Sequence, residues 1–144
     1  MTQSTAYAAL LLRIALGAMF TAHGLLKLLV FTPAGTVGFF ESLGMPGWFA
    51  YPTMGAELIG GVLLVLGVQA RAVSLALLPV LIGSIVLVHG ANGWLYTNEN
   101  GGWEYSAFLI VASLVQALLG NGAFSLGRML DRNRTVSPVV GATA

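Results

Sequence analysis

The chain has 144 residues, 57% of them hydrophobic and 8% charged, with a net charge of +1 and a mean hydropathy of +0.87. A soluble domain carries roughly 25% charged residues, so this chain lacks the charge to cover a water-facing surface and reads as an all-α membrane protein. The near-neutral balance gives no sign of a nucleic-acid partner, and the absence of Cys excludes disulfides, thiolate metal sites, iron–sulfur clusters and cysteine redox chemistry on this chain.

Four apolar stretches follow one another. The first, from about Ala6 to Phe31, is broken by Arg13, His23 and Lys27. Its length and the lack of any Lys or Arg before Arg13 favour a membrane span over a signal peptide. A loop from about Thr32 to Trp48 comes next. Within it, Thr36–Gly44 places Val37, Phe40 and Leu43 or Phe39 on one side, as in a short interfacial helix. Gly44-Met-Pro-Gly-Trp48 ends that helix. The second span runs from about Phe49 to Val68 and contains Glu57. The short Gly67–Arg71 connection makes it an antiparallel hairpin with the third, from about Ala72 to Val88, which ends at His89. The fourth, from about Tyr105 to Leu119, needs Trp103 and Glu104 to approach the about 20 residues of a full crossing. Residues 1–134 are expected to form one four-transmembrane-helix domain, and the small, polar segment from Thr135 to Ala144 a flexible tail. Nineteen glycines suit a bundle whose helices approach closely.

The two loops on one side, about Thr32–Trp48 and Gly90–Trp103, contain no Lys or Arg. The other side carries Arg71, Arg128, Arg132 and Arg134. Positive residues accumulate on the cytoplasmic side, so both termini are expected there, in a bacterial-type inner (plasma) membrane. Trp48, Tyr51, Trp94, Tyr96 and Trp103 then form an outer aromatic belt.

Glu57 is the residue on which a functional reading turns. A carboxylate at hydrocarbon depth costs a few kcal/mol or more unless it is paired or faces a cavity. Arg13, Gly17, Phe20, Gly24 and Lys27 recur at helical spacing, so two basic residues share one stripe of the first span. By depth, His23, Lys27, Glu57, His89 and Glu104 fall in the outer half, while Arg13 lies deeper and nearer the cytoplasm. These six are the candidates for a polar pocket holding a quinone-like head group or a small reductant. The competing reading makes Glu57 one half of an internal strut, with Arg13, Lys27 or His23 as its partner. Glu104 reads equally as a helix N-terminal acid favoured by the dipole, and His89 as a boundary imidazole. Two axial histidines for haem should face each other across a bundle core, which His89 at the surface does not suit. No tight ligand spacing marks a metal site.

The motifs resemble the DoxX family of membrane proteins. Leu11-Leu-Arg13-Ile-Ala-Leu-Gly17 and His23-Gly24-Leu-Leu-Lys27-Leu carry the likeness in the first span. Gly44-Met-Pro46, Glu57-Leu-Ile-Gly60-Gly61 and Arg71 carry it through the hairpin. His89-Gly-Ala-Asn-Gly-Trp, Gly101-Gly102-Trp-Glu104-Tyr and Gly120-Asn-Gly122-Ala-Phe-Ser125-Leu continue it to about Leu126. Where the family often has an acidic residue after Ser-Leu, this chain has Gly127. The resemblance implies a four-helix inner-membrane protein linked to oxidoreductase complexes, with a family name taken from thiosulfate:quinone oxidoreduction.

Three functions are therefore expected in order. The first is an oxidoreductase subunit whose polar pocket binds a quinone or small reductant, with Glu57 and His23 as proton partners. The second is a non-catalytic accessory or assembly subunit. The third is transport of a small molecule or protons by an oligomer. The expected partners are the lipid bilayer and other membrane subunits or further copies of the chain. The chain itself carries no evident cofactor, and quinone is the class left open.

Overall fold

The computed structural model describes residues 2–128. The segment expected to be a tail, 135–144, lies outside them. All regular structure among the described residues is helical: α1 (Gln3–Leu25), α2 (Thr32–Ser42), α3 (Ala50–Leu66), α4 (Ala70–Ala76), α5 (Leu78–Gly83) and α6 (Glu104–Leu119). Short π-helical segments extend α1 (Leu26–Val30) and α5 (Ser84–His89). With their extensions, three helices are long and apolar enough to cross a membrane: Gln3–Val30, Gly47–Leu66 and Ala70–Asn92. The apolar α6 is shorter, with 16 residues, or about 24 Å at 1.5 Å per residue. The result is a small helical membrane bundle.

Local chemistry sets the boundaries. Thr2 accepts a hydrogen bond from the Thr5 N–H and caps α1. Helix α2 begins four residues before the amphipathic pattern suggests, because Thr32 Oγ1 accepts from the Gly35 N–H and Pro33 stands at the first turn. Helix α3 stops at Gly67, which adopts φ +71°. The N–H groups of Gly67 and Val68 return to the Leu64 and Leu63 carbonyls, the paired bonds that close a helix through a left-handed residue. The backbone then re-enters at Ala70, whose N–H donates to Asn121 Oδ1 at 2.8 Å. A side chain following α6 thereby caps α4.

The third span is not continuous. Pro79 lacks the N–H that would donate to Leu75 O, so the helix breaks at Leu77 between α4 and α5. The apolar stretch read from about Ala72 to Val88 is therefore helical in successive pieces.

Helices α1 and α3 run antiparallel in close contact. A Cβ placed on Gly17 would stand 2.7 Å from Gly61 O, and one on Gly61 would stand 2.8 Å from Gly17 O and against Thr21 Oγ1. Lipid tails are as apolar as leucine, so association of helices in a membrane depends on close packing rather than hydrophobic transfer. The two glycines supply that closeness. Around them Leu16, Phe20, Leu64, Ala70, Leu77, Leu81, Leu109 and Ala112 form the buried apolar core.

This geometry predicts the effect of single methyl groups. Gly17→Ala and Gly61→Ala are each expected to destabilise the bundle by about 1–3 kcal/mol through overpacking. Gly55→Ala, where an added Cβ meets nothing within 4 Å, is expected to be neutral or stabilising. Equilibrium unfolding in detergent micelles checks the contrast.

Candidate functional site

Glu57 is buried on the inward face of α3, and its carboxylate is paired. Lys27 Nζ donates to both Glu57 oxygens at 2.8 Å. The Glu57 side chain is 5% exposed and that of Lys27 is 21% exposed. Lys27 lies in the π-helical extension of α1, Leu26–Val30, on the stripe it shares with Gly17 and Gly24, which pass α3 closely. Thr36 of α2 fixes that turn: its Oγ1 donates to the Lys27 carbonyl at 3.2 Å and to Thr32 O at 2.9 Å. Of the three partners open to Glu57 in the sequence, the fold selects Lys27. The pair leaves no net charge at this depth, and one partly exposed amine keeps it near the end of the bundle.

Arg13 is elsewhere and does another job. It is 1% exposed and meets no carboxylate among the described residues. Nη1 donates to Leu64 O at 3.0 Å and to Val65 O, while Nη2 donates to Ala123 O and Phe124 O, each at 2.9 Å. The guanidinium thus covers carbonyls at the end of α3 and ties them to the segment after α6. Helix C-termini carry partial negative charge and unsatisfied carbonyls. A planar cation with four terminal N–H groups answers both. A Cβ on Gly67 would stand 2.8 Å from Arg13 Cζ, so the glycine that ends α3 also makes room for the clamp.

The remaining candidates lie towards the Lys27 end, each with a different partner. His23 Nδ1 donates to Met19 O at 2.8 Å, and its ring stacks on Tyr105 with centroids 6.1 Å apart. Tyr105 Oη donates to Met19 Sδ at 3.7 Å. His89 closes the π-helical end of its span, with Nδ1 donating to Gly101 O at 2.9 Å. In both histidines a carbonyl fixes Nδ1 as the protonated nitrogen, leaving Nε2 as the lone-pair side of the neutral ring. Glu104 opens α6, and its Oε1 accepts from the Tyr96 N–H at 2.8 Å.

Two asparagines that sequence reading passed over complete this end. Asn92 Nδ2 stands 3.0–3.2 Å from the Val88, Asn100 and Gly101 carbonyls, and Asn98 Nδ2 donates to Asn92 O at 2.8 Å. With the Trp103 N–H on Gly93 O and the Glu104 N–H on Trp94 O, they fold residues 93–104 into a tight cap. The signal was the Asn inside His89-Gly-Ala-Asn92-Gly. An open groove of about 480 Å³ lies beside the cap, lined by Trp94, Tyr96, Glu104, Tyr105, Ala107, Phe108 and Val111. Lys27, Glu57 and Arg13 do not line it. Among the described residues no group of three or more His, Asp or Glu is placed to hold a metal ion.

The bundle, its paired intramembrane charges and its hydrogen-bonded cap define a small integral membrane protein built around a fixed core. Residues 8–90 match the DoxX family model, and the chain belongs to the DoxX family. It is also 36% identical over 126 residues to a Bacillus subtilis (strain 168) protein named "Putative oxidoreductase CatD", a match covering 88% of this chain and 89% of that one. No solved structure matches the chain.

The ion pair has a measurable signature. Lys27→Met or Glu57→Gln alone is expected to cost about 3 kcal/mol, the low end of what removing one partner of a buried pair costs, because Lys27 is partly exposed. The double variant Lys27→Met/Glu57→Gln should recover most of that loss, which a double-mutant unfolding cycle with the two singles measures directly. Arg13→Lys is expected to fall nearly as far as Arg13→Leu in the same assay, since one ammonium cannot span two pairs of carbonyls.

Proposed function

We propose that this protein is a scaffold subunit of a membrane oxidoreductase complex, holding partner subunits rather than carrying electrons or protons itself. All four apolar helices cross the membrane in this reading, with both termini cytoplasmic and the aromatic cap outside. The observation that carries it is the Lys27–Glu57 pair. Both carboxylate oxygens are occupied by one ammonium at 2.8 Å, and a neutralised pair of this kind fixes helix register without needing to exchange protons. The oxidoreductase setting is supported by family membership and by the name of the Bacillus subtilis relative. The chain has no Cys to bear a redox centre.

The test is purification of the tagged protein from native membranes. Partner subunits should co-purify in fixed stoichiometry. Glu57→Gln should reduce the amount of complex recovered while turnover per intact complex stays unchanged. A Glu57→Gln complex of normal stoichiometry with impaired turnover would overturn the scaffold reading.

A second reading rests on the groove at the start of α6. Its volume falls within the range of about 300–1,000 Å³ typical of small-molecule sites. Its walls are aromatic, with one carboxylate from Glu104 and the His23–Tyr105 stack behind. A quinone or small aromatic reductant would lie there against Tyr105, with its polar end at Glu104. Tyr105→Ala and Glu104→Gln should then raise the KM for quinone severalfold in an intact complex. An unchanged KM in both variants would remove this reading.

A further inference from the structure

The interface between α4 and α6 holds three polar atoms that nothing explained so far uses. Ser74, Ser113 and Gln116 are each 0% exposed. Ser74 Oγ, Ser113 Oγ and Gln116 Oε1 have no hydrogen-bond partner within the protein. A buried hydroxyl or amide oxygen without a partner costs free energy comparable to a lost hydrogen bond, more so in a membrane where no bulk water can reach it.

The three belong to one place. Two contacts fix the antiparallel register of the third span against α6: the Ala70 N–H on Asn121 Oδ1, and Ser84 Oγ against Ser106 Oγ at 3.1 Å. Interpolating between them sets Ser74 at the level of Gln116. Ser113 is one turn before Gln116 in α6 and on the same buried face. The amide of Gln116 is oriented by its other end, since Nε2 donates to Gly120 O at 2.7 Å. Its oxygen is therefore the end left free. The other two unpartnered atoms, Arg13 Nε and Thr21 Oγ1, belong to α1.

We propose that this interface binds a water molecule, held by Ser74 Oγ, Ser113 Oγ and Gln116 Oε1. Buried waters typically make about three hydrogen bonds to groups that would otherwise be unsatisfied. A water can donate to the amide oxygen and exchange either role with the two hydroxyls. An anion is disfavoured because Gln116 presents an acceptor. A cation is disfavoured because Arg13 and Arg71 both bring positive charge to this end of the bundle, while Glu57 stands nine residues back from the end of α3. Pro79 confines α4 to seven residues, and helices interrupted by proline in membranes use side-chain hydroxyls and ordered waters to satisfy the freed groups. The bundle is then pinned to α6 at this point by a bridging solvent molecule rather than by direct side-chain contact.

The test uses the sign of a serine-to-alanine change, in the full chain. If the hydroxyls hold water, Ser74→Ala and Ser113→Ala each lower the folding equilibrium constant about threefold to tenfold. The double variant then falls no further than the weaker single, because either change releases the same water. If the hydroxyls are merely unpaired, each substitution removes an unsatisfied polar group, so stability rises or the two effects simply add. Either of those results overturns the proposal. A second measurement stands apart from folding: in lipid nanodiscs, wild-type protein should show magnetisation transfer from water to the Ser74 and Ser113 amides. Its absence at both sites overturns the proposal as well.

Discussion

Where Gly17 faces Gly61, the backbones of α1 and α3 approach so closely that no side chain fits between them. The other polar contacts of these helices follow from that approach. Arg13 lies one turn of α1 before the contact, which brings its guanidinium to the final carbonyls of α3. Beyond the contact, Gly24 passes Leu58, and Lys27 arrives at Glu57. A larger residue at either glycine would separate the helices, so both charged side chains would have to find partners across a wider gap. Small residues here therefore set the electrostatics as well as the packing.

The two cations solve different problems. Lys27 is a compact point charge opposite a carboxylate, and its partial exposure tempers the cost of burying the pair. Arg13 is a planar fork, and it spends its donors on backbone carbonyls from two segments. It thereby joins the end of α3 to the turn after α6, and Asn121 from that same turn caps α4. The end of the bundle carrying the chain's N-terminus is held by side-chain-to-backbone bonds of this kind. The opposite end is held by the Lys27–Glu57 pair and the asparagine-bonded cap. Two rigid ends joined by an apolar middle suit a protein that presents fixed surfaces to neighbours in a membrane.

Much of this was legible from residue types and spacing. The apolar lengths gave the helices, the short Gly67–Arg71 connection gave the hairpin, and the cost of a buried carboxylate required a partner or a cavity for Glu57. Helical spacing put Arg13 and Lys27 on one face. Spacing could not rank them as partners, because both lie within reach of α3 until the depth of the α1–α3 contact is known. Depth alone suggested that His23, Lys27, Glu57, His89 and Glu104 gather in one half, with Arg13 deeper. In the fold they share an end, Arg13 excepted, but engage separate partners. Pro79 lies inside the third apolar stretch, and its consequence depends on what faces the interrupted helix.

The sequence by itself determined that this is a helical membrane protein with an intramembrane carboxylate that needs a partner or a cavity, because hydropathy and desolvation act on residue type alone. Only the tertiary structure decided which cation neutralises it, that Arg13 serves carbonyls instead, and that Ser74, Ser113 and Gln116 share one buried interface. Those outcomes depend on the angle and register at which helices far apart in the chain meet, and glycine contacts, not local pattern, set both.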